Sequence, residues 1–245
     1  MPKEPQPTNH LERFEAKMRA SGLDPVVIDL FGDYYRQVVA GETGIIPDDA
    51  IRPPGDADVV DTRRLAAYRE AGRKALPHTV RITLNGGLGT SMGLTGPKSL
   101  LNVKDDQSFL EIILGQSERL DIQQALMNSF STQEATEKAL RTLAPAKAPL
   151  MFTQNRFPKI LQDSLAPASW PANPDLEWNP PGHGDVYTAM ATSGILDRLL
   201  EQDIRFALIA NSDNLGATVD TGILGFFARE GLPFLMEVAE RTPAD

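Results

Sequence analysis

The chain has 245 residues, 41% hydrophobic and 23% charged, an ordinary balance for a chain that buries one substantial core. A net charge of −9 argues against a general nucleic-acid binder, which carries a basic excess, but leaves room for a few cations placed around a small anion. There is no cysteine, which excludes disulfides, thiolate chemistry and thiolate metal sites, so any metal must rest on oxygen or imidazole ligands.

The first ten residues are polar and Pro-rich and read as a loose tail, without the apolar stretch of a secretory signal. No later stretch approaches about 18 apolar residues, so no membrane span is expected and a cytoplasmic location is the default. Leu11, Phe14 and Met18 recur at helical spacing, giving a helix over 11–20 that stops at Ser21-Gly22. A second helix over 25–39 carries Val27, Leu30, Phe31, Tyr34, Tyr35 and Val38 on one face. Residues 46–58, rich in Pro, Asp and Gly, form a connection, and Leu65, Tyr68 and Ala71 mark a third helix over 59–76.

After Pro77-His78 the pattern changes. Short apolar runs at 80–84, 125–128, 150–153, 206–210 and 234–238 alternate with helix candidates at 109–120, 133–143, 186–201 and 219–229. Such alternation predicts an α/β fold with a mostly parallel sheet and helices on both faces. Ligands in such sheets sit at the carboxyl ends of the strands. The boundary falls near residue 78, giving an N-terminal helical region (1–78) and a core (79–245).

The strongest local signal follows the first strand: Leu84-Asn85-Gly86-Gly87-Leu88-Gly89-Thr90-Ser91-Met92-Gly93-Leu94-Thr95-Gly96-Pro97-Lys98-Ser99. Five glycines in eleven residues let the backbone approach a ligand and turn successive N–H groups onto phosphate oxygens. Lys98 adds a point charge for the same oxygens. Neither common nucleotide motif fits, because Pro97 separates Gly96 from Lys98 and Met92 stands where the third glycine of G-x-G-x-x-G belongs. A ligand-free turn remains the plain alternative.

This loop resembles the signature of the UTP–glucose-1-phosphate uridylyltransferase family. Further blocks resemble the family in the same order. They are Met127-Asn128-Ser129-Phe130-Ser131-Thr132, Gln154-Asn155-Arg156-Phe157-Pro158-Lys159-Ile160, Trp178-Asn179-Pro180-Pro181-Gly182-His183-Gly184-Asp185, and Asn211-Ser212-Asp213-Asn214-Leu215-Gly216-Ala217-Thr218-Val219-Asp220. The resemblance implies a Rossmann-like nucleotidyltransferase core that joins glucose 1-phosphate to UMP from UTP, giving UDP-glucose and pyrophosphate, with Mg²⁺ as cofactor. Pyrophosphorylases for other sugar 1-phosphates, and a catalytically silent nucleotide-binding module, stay open.

The resemblance assigns the nucleotide to Leu84, Asn85, Gly86, Gly87, Lys98, Gln154, Gly182 and Asp213, with Gln154 reading the base and Gly182 leaving room for it. It assigns the sugar phosphate to Gly86, Gly87, His183, Asn211, Ser212 and Asp213. It implies that Lys98 and Asp213 are the catalytic residues. From the residues alone, Gln154 is equally a surface loop side chain, and His183 a structural hydrogen-bonder, metal ligand or base. With three histidines and no second one at ligand spacing, a His-based metal site is not expected. Asp213, at a strand's carboxyl end, suits Mg²⁺ as well as a turn or helix cap; Thr218 or Asp220 is the better cap for the next helix. Asp185 is expected to cap the helix at 186, Asp105 and Asp106 to form a solvated turn, and Trp170 and Trp178 to pack. Family members continue into a sugar-binding region, a further phosphate-touching lysine and a C-terminal β-helix with the usual assembly element. The chain is therefore expected to be either a fragment of a longer enzyme or a naturally short form, in both cases binding UTP weakly and turning over poorly, and no oligomeric state is read from it.

Overall fold

The computed structural model describes residues 10–55, 58–89 and 96–239. Most of the expected tail (1–9) and the middle of the glycine-rich turn (90–95) lie outside the described residues.

Helices α1 (Leu11–Ala20), α2 (Pro25–Val39) and α3 (Arg69–Ala75) precede strand β1 (Thr79–Asn85). A small hairpin of β2 (Asn102–Lys104) and β3 (Gln107–Ser108) leads into α4 (Phe109–Arg119), β4 (Gln123–Asn128), α5 (Gln133–Leu143) and β5 (Leu150–Thr153). A second antiparallel pair, β6 (Phe157–Pro158) and β7 (Trp178–Asn179), comes before α6 (Val186–Thr192), α7 (Ile195–Glu201), β8 (Phe206–Asn211) and α8 (Thr221–Glu230). The four longer strands form one parallel sheet in the order β5-β4-β1-β8.

Side chains alternate across a strand, so each face of the sheet has its own packing. On one face Val80, Ile82 and Leu84 join Ala125, Met127, Leu150 and Phe152, and meet Val186 and Ala189 of α6 with Ile195 and Leu199 of α7. On the other, Leu126 meets Leu110 and Leu114 of α4 and Leu140 of α5. Helices thus cover both faces, as the alternation of runs predicts. The α4 side of β1, however, is polar: Arg81, Thr83 and Asn85 are all buried there.

The N-terminal helices pack onto the same body. Phe14, Met18, Val27, Phe31 and Tyr35 share a cluster with Trp178. The Tyr35 hydroxyl donates to Leu165 O at 2.8 Å, and the Lys17 ammonium donates to Ala168 O at 2.9 Å while pairing with Glu177. Helix α3 lies against α8 through two glycines. A Cβ on Gly72 would stand 1.8 Å from Thr221 O, and one on Gly225 would stand 2.0 Å from Tyr68 O. The two backbones touch, so any side chain at either position would force them apart.

Several expected elements are revised. The helix over 59–76 starts only at Thr62, where the Asp61 carboxylate caps it by accepting from Arg63 N, and is a 3₁₀ segment over Thr62–Tyr68 followed by α3. The helix over 186–201 is two helices, broken where Gly194 takes a left-handed φ of 74°. The run 234–238 is not a strand, and Phe234, Met236 and Val238 are exposed. Its alternation resembles a strand, but a strand exists only where a partner satisfies its backbone. Trp178 is buried as expected, whereas Trp170 stands 58% exposed. Asp105 and Asp106 form the exposed β2–β3 turn, both with positive φ.

Candidate functional site

Because the sheet is parallel, its four carboxyl ends lie on one edge. Asn85 is level with Asn128, Asn128 with Thr153, and Leu84 with Asn211. The next residues along that edge are Gln154, Ser129, Gly86 and Ser212, one after each strand. Most of the expected site residues are therefore neighbours by topology.

The glycine-rich turn is closed at its base by a short antiparallel ladder. Gly89 N donates to Gly96 O and Lys98 N to Gly87 O, each at 3.1 Å, around the Leu88–Pro97 bridge. That closure returns Lys98 to the sheet edge, where its Nζ stands 3.6 Å from Oδ2 of Asp213, beyond β8. Both side chains stay partly exposed, at 32% and 43%, so the pair adds little stability and keeps its charges within reach of a ligand. Asp213 sits in a loop braced by its own bonds: Asn214 N donates to Asn211 O, and Asn214 Oδ1 accepts from Gly216 N and Ala217 N. Asp220 caps α8 by accepting from Gly222 N at 2.7 Å and Ile223 N at 3.0 Å, as expected. Asp213 is thus not spent as a cap.

Gln154 is buried, with its N–H donating to Asn128 O at 2.8 Å. Its side chain lies across Gly86: a Cβ there would meet Gln154 Nε2 at 2.0 Å. Its Oε1 is buried without a hydrogen-bond partner. A buried acceptor left open costs free energy unless a donor arrives, and a ligand N–H in this position would supply one.

Leu84 is buried in the apolar cluster, and its carbonyl accepts from Ser212 N at 3.3 Å. The Asn85 side chain is turned inward, donating to Asn128 Oδ1 at 2.7 Å and Thr136 Oγ1 at 3.0 Å, so only its backbone faces the edge. Ser212 is buried and Asn211 exposed. Gly182 has φ 105° and ψ −170°, which only glycine takes without strain, and His183 beside it is exposed. Asp185 does not cap α6. Its buried carboxylate accepts from Asn155 N at 2.6 Å and Asn155 Nδ2 at 2.9 Å, tying the segment after β5 to the His183 turn. Burial pushes its carboxyl above the usual range, and the two Asn155 bonds oppose that shift.

A sequence model of the UTP–glucose-1-phosphate uridylyltransferase family matches residues 28–245. The chain belongs to that family. It is 37% identical to a probable UTP–glucose-1-phosphate uridylyltransferase of Schizosaccharomyces pombe, over 88% of this chain and 44% of that relative. It is 38% identical to the Solanum tuberosum enzyme, over 89% of this chain and 47% of that one. Among solved structures it resembles a mutant UDP-glucose pyrophosphorylase from Leishmania major in complex with UDP-glucose, with TM-score 0.88 and 38% identity over 97% of this chain and 51% of that one. A protein from Trypanosoma brucei described as UDP-glucose phosphorylase gives TM-score 0.82 at 40% identity, covering 97% and 51%. The chain spans about half the length of the relatives it matches.

Within this family frame the metal question is narrow. Among the described residues no group of three or more His, Cys, Asp or Glu is placed to hold an ion. Among the described residues, Asp213 is the carboxylate that pairs with Lys98. That fits Mg²⁺, which commonly takes one or two carboxylates and completes its shell with substrate phosphates and water. Sequence reasoning gave no role to Ser129, Thr132 or Asn155, nor to Arg81, which is 1% exposed and held by one bond to Gln116. Their signal was present as polar residues inside apolar strands and in the quoted blocks, but residue type alone does not tell a ligand contact from a brace.

Proposed function

We propose that the protein is the nucleotide-binding part of a cytoplasmic UTP–glucose-1-phosphate uridylyltransferase, making UDP-glucose and pyrophosphate. The observation that carries this reading is the approach of Lys98 and Asp213 at the sheet edge beside Gly86, in a chain of that family. In the proposed reaction a phosphate oxygen of glucose 1-phosphate attacks the α-phosphorus of UTP in line. The bond from that phosphorus to the bridging oxygen breaks, and pyrophosphate leaves with the electron pair. The attacking phosphate is already ionised near neutral pH, so no base is required. His183, with Asn211 and Ser212, is assigned to contacts with the sugar phosphate.

Rate then comes from positioning and charge. Lys98 offsets the charge on the departing phosphates, beside the Gly86 and Gly87 amides. Mg²⁺ on Asp213 and the substrate's phosphate oxygens would neutralise more of that charge. The open Gln154 Oε1 suits the N3–H of uracil, and Gly182 leaves room for the ring.

A coupled pyrophosphate-release assay tests the reading. Weak Mg²⁺-dependent turnover is expected from this chain, lost in Lys98→Ala and Asp213→Asn. Equal turnover by a folded Lys98→Ala variant would end it. A panel of sugar 1-phosphates checks the preference for glucose.

A further inference from the structure

The block Met127-Asn128-Ser129-Phe130-Ser131-Thr132 has no part in the roles above, yet two of its hydroxyls reach the glycine-rich turn. Thr132 Oγ1 donates to Asn85 O at 2.8 Å, and Ser129 Oγ donates to Gly86 O at 2.9 Å. Both residues are 0% exposed. Ser129 N donates back to Thr132 Oγ1 at 2.9 Å, which uses a lone pair there and leaves the hydroxyl proton for Asn85 O.

We propose that Ser129 and Thr132 are positioning residues that aim the backbone amides of Gly86 and Gly87 at the ligand's phosphates. The proposal rests on the nucleotide reading of this edge and adds residues that make it work. In a trans peptide the C=O and the following N–H point in opposite directions. Holding Asn85 O therefore sets the direction of Gly86 N–H, and holding Gly86 O sets that of Gly87 N–H. Both amides are turned away from the β4–α5 corner, and successive N–H groups presented together form an anion-binding concavity. The third carbonyl is fixed as well, since Gly87 O accepts from Lys98 N.

External holding matters because glycine samples more backbone states than other residues and does not fix its own peptide planes. The corner that does the holding is itself rigid. Thr132 N and Gln133 N both donate to Ser129 O at 3.0 Å, and Thr136 Oγ1 donates to Thr132 O at 2.8 Å. Asn85 Nδ2 bonds Asn128 and Thr136, so the strand end and the corner form one unit.

The test is titration calorimetry of the full chain with UTP and, separately, UMP, both with Mg²⁺. Wild type is compared with Ser129→Ala, Thr132→Val and Thr132→Ser, and melting temperatures report folding. UTP affinity should fall about tenfold in Ser129→Ala and Thr132→Val, the size of one charge-assisted hydrogen bond. UMP, which lacks the two outer phosphates, should lose much less, and Thr132→Ser should restore UTP binding. Equal losses for both nucleotides, or unchanged UTP affinity in folded variants, would overturn the positioning role. Should Thr132→Val fail to fold, Ser129→Ala carries the test alone. A wild-type chain that binds neither nucleotide sinks the functional reading itself. Wild-type binding that Lys98→Ala reduces but the hydroxyl variants do not sinks only this inference.

Discussion

Two regions meet at the carboxyl edge of the sheet and are built on opposite terms. The Lys98–Asp213 pair is partly exposed, loosely spaced at 3.6 Å, and supported by backbone bonds rather than by side-chain packing. The corner formed by Asn85, Asn128, Ser129, Thr132 and Thr136 is buried, and its side chains bond to one another and to the backbone. Charged groups that meet a ligand's phosphates must be reachable and so contribute little to the fold. Groups that aim the backbone must not move and so contribute a great deal. The two regions should therefore fail differently when mutated.

The largest expected effect falls on the exposed side. Lys98→Ala should lower kcat by about 10²–10³-fold, the usual cost of one preorganised charged donor, while the melting temperature stays near wild type. A large drop in melting temperature would break the contrast. On the buried side, Asn85→Leu removes the donor to Asn128 Oδ1, which is left unsatisfied, and one of the two bonds of Thr136 Oγ1, which keeps its bond to Thr132 O. It should cost roughly 2–3 kcal/mol in denaturant unfolding, and a neutral result would show that the corner is not rigid.

Smaller effects sharpen the same comparison. Asp220→Ala removes the α8 cap at the end of the Asp213 loop and should cost about 1 kcal/mol. Because α8 is set against α3 by Gly72 and Gly225, that loss should appear as stability with little change in nucleotide affinity. The smallest effect concerns Asp185. Its folded-state carboxyl is raised by burial above the ordinary 3.8, so the folded state favours its protonated form. The stability this gives is full below that ordinary value and is lost as pH rises through the raised one. Across a melting series run upward from acid pH, wild type should lose stability relative to Asp185→Asn. A constant gap between the two would show that burial does not govern this group.

The helices over 11–20, 25–39 and 133–143 were legible to the residue, because apolar spacing and stop signals such as Ser21-Gly22 are local. The four sheet strands were legible to within two residues, as was the α8 cap to one of two candidates, Thr218 or Asp220. The break at Gly194 was missed because a glycine inside a helical pattern is equally a tolerated residue and a left-handed stop. The run 234–238 was misread because alternation describes a face and says nothing of a partner. Asp185 was assigned to a helix start by position, whereas its carboxylate bonds Asn155, 30 residues away.

By itself, the sequence determined most of the element types, the parallel α/β class, the family and the glycine-rich turn with its lysine. All of these rest on patterns within short stretches of chain. Only the tertiary structure decided which strand ends lie side by side, that Lys98 meets Asp213, that Gln154 lies across Gly86 with an open acceptor, and that Ser129 and Thr132 hold the carbonyls of Asn85 and Gly86. The physical reason is that hydrogen bonds and ion pairs depend on distance in space. Parallel crossovers bring together residues that lie more than forty positions apart.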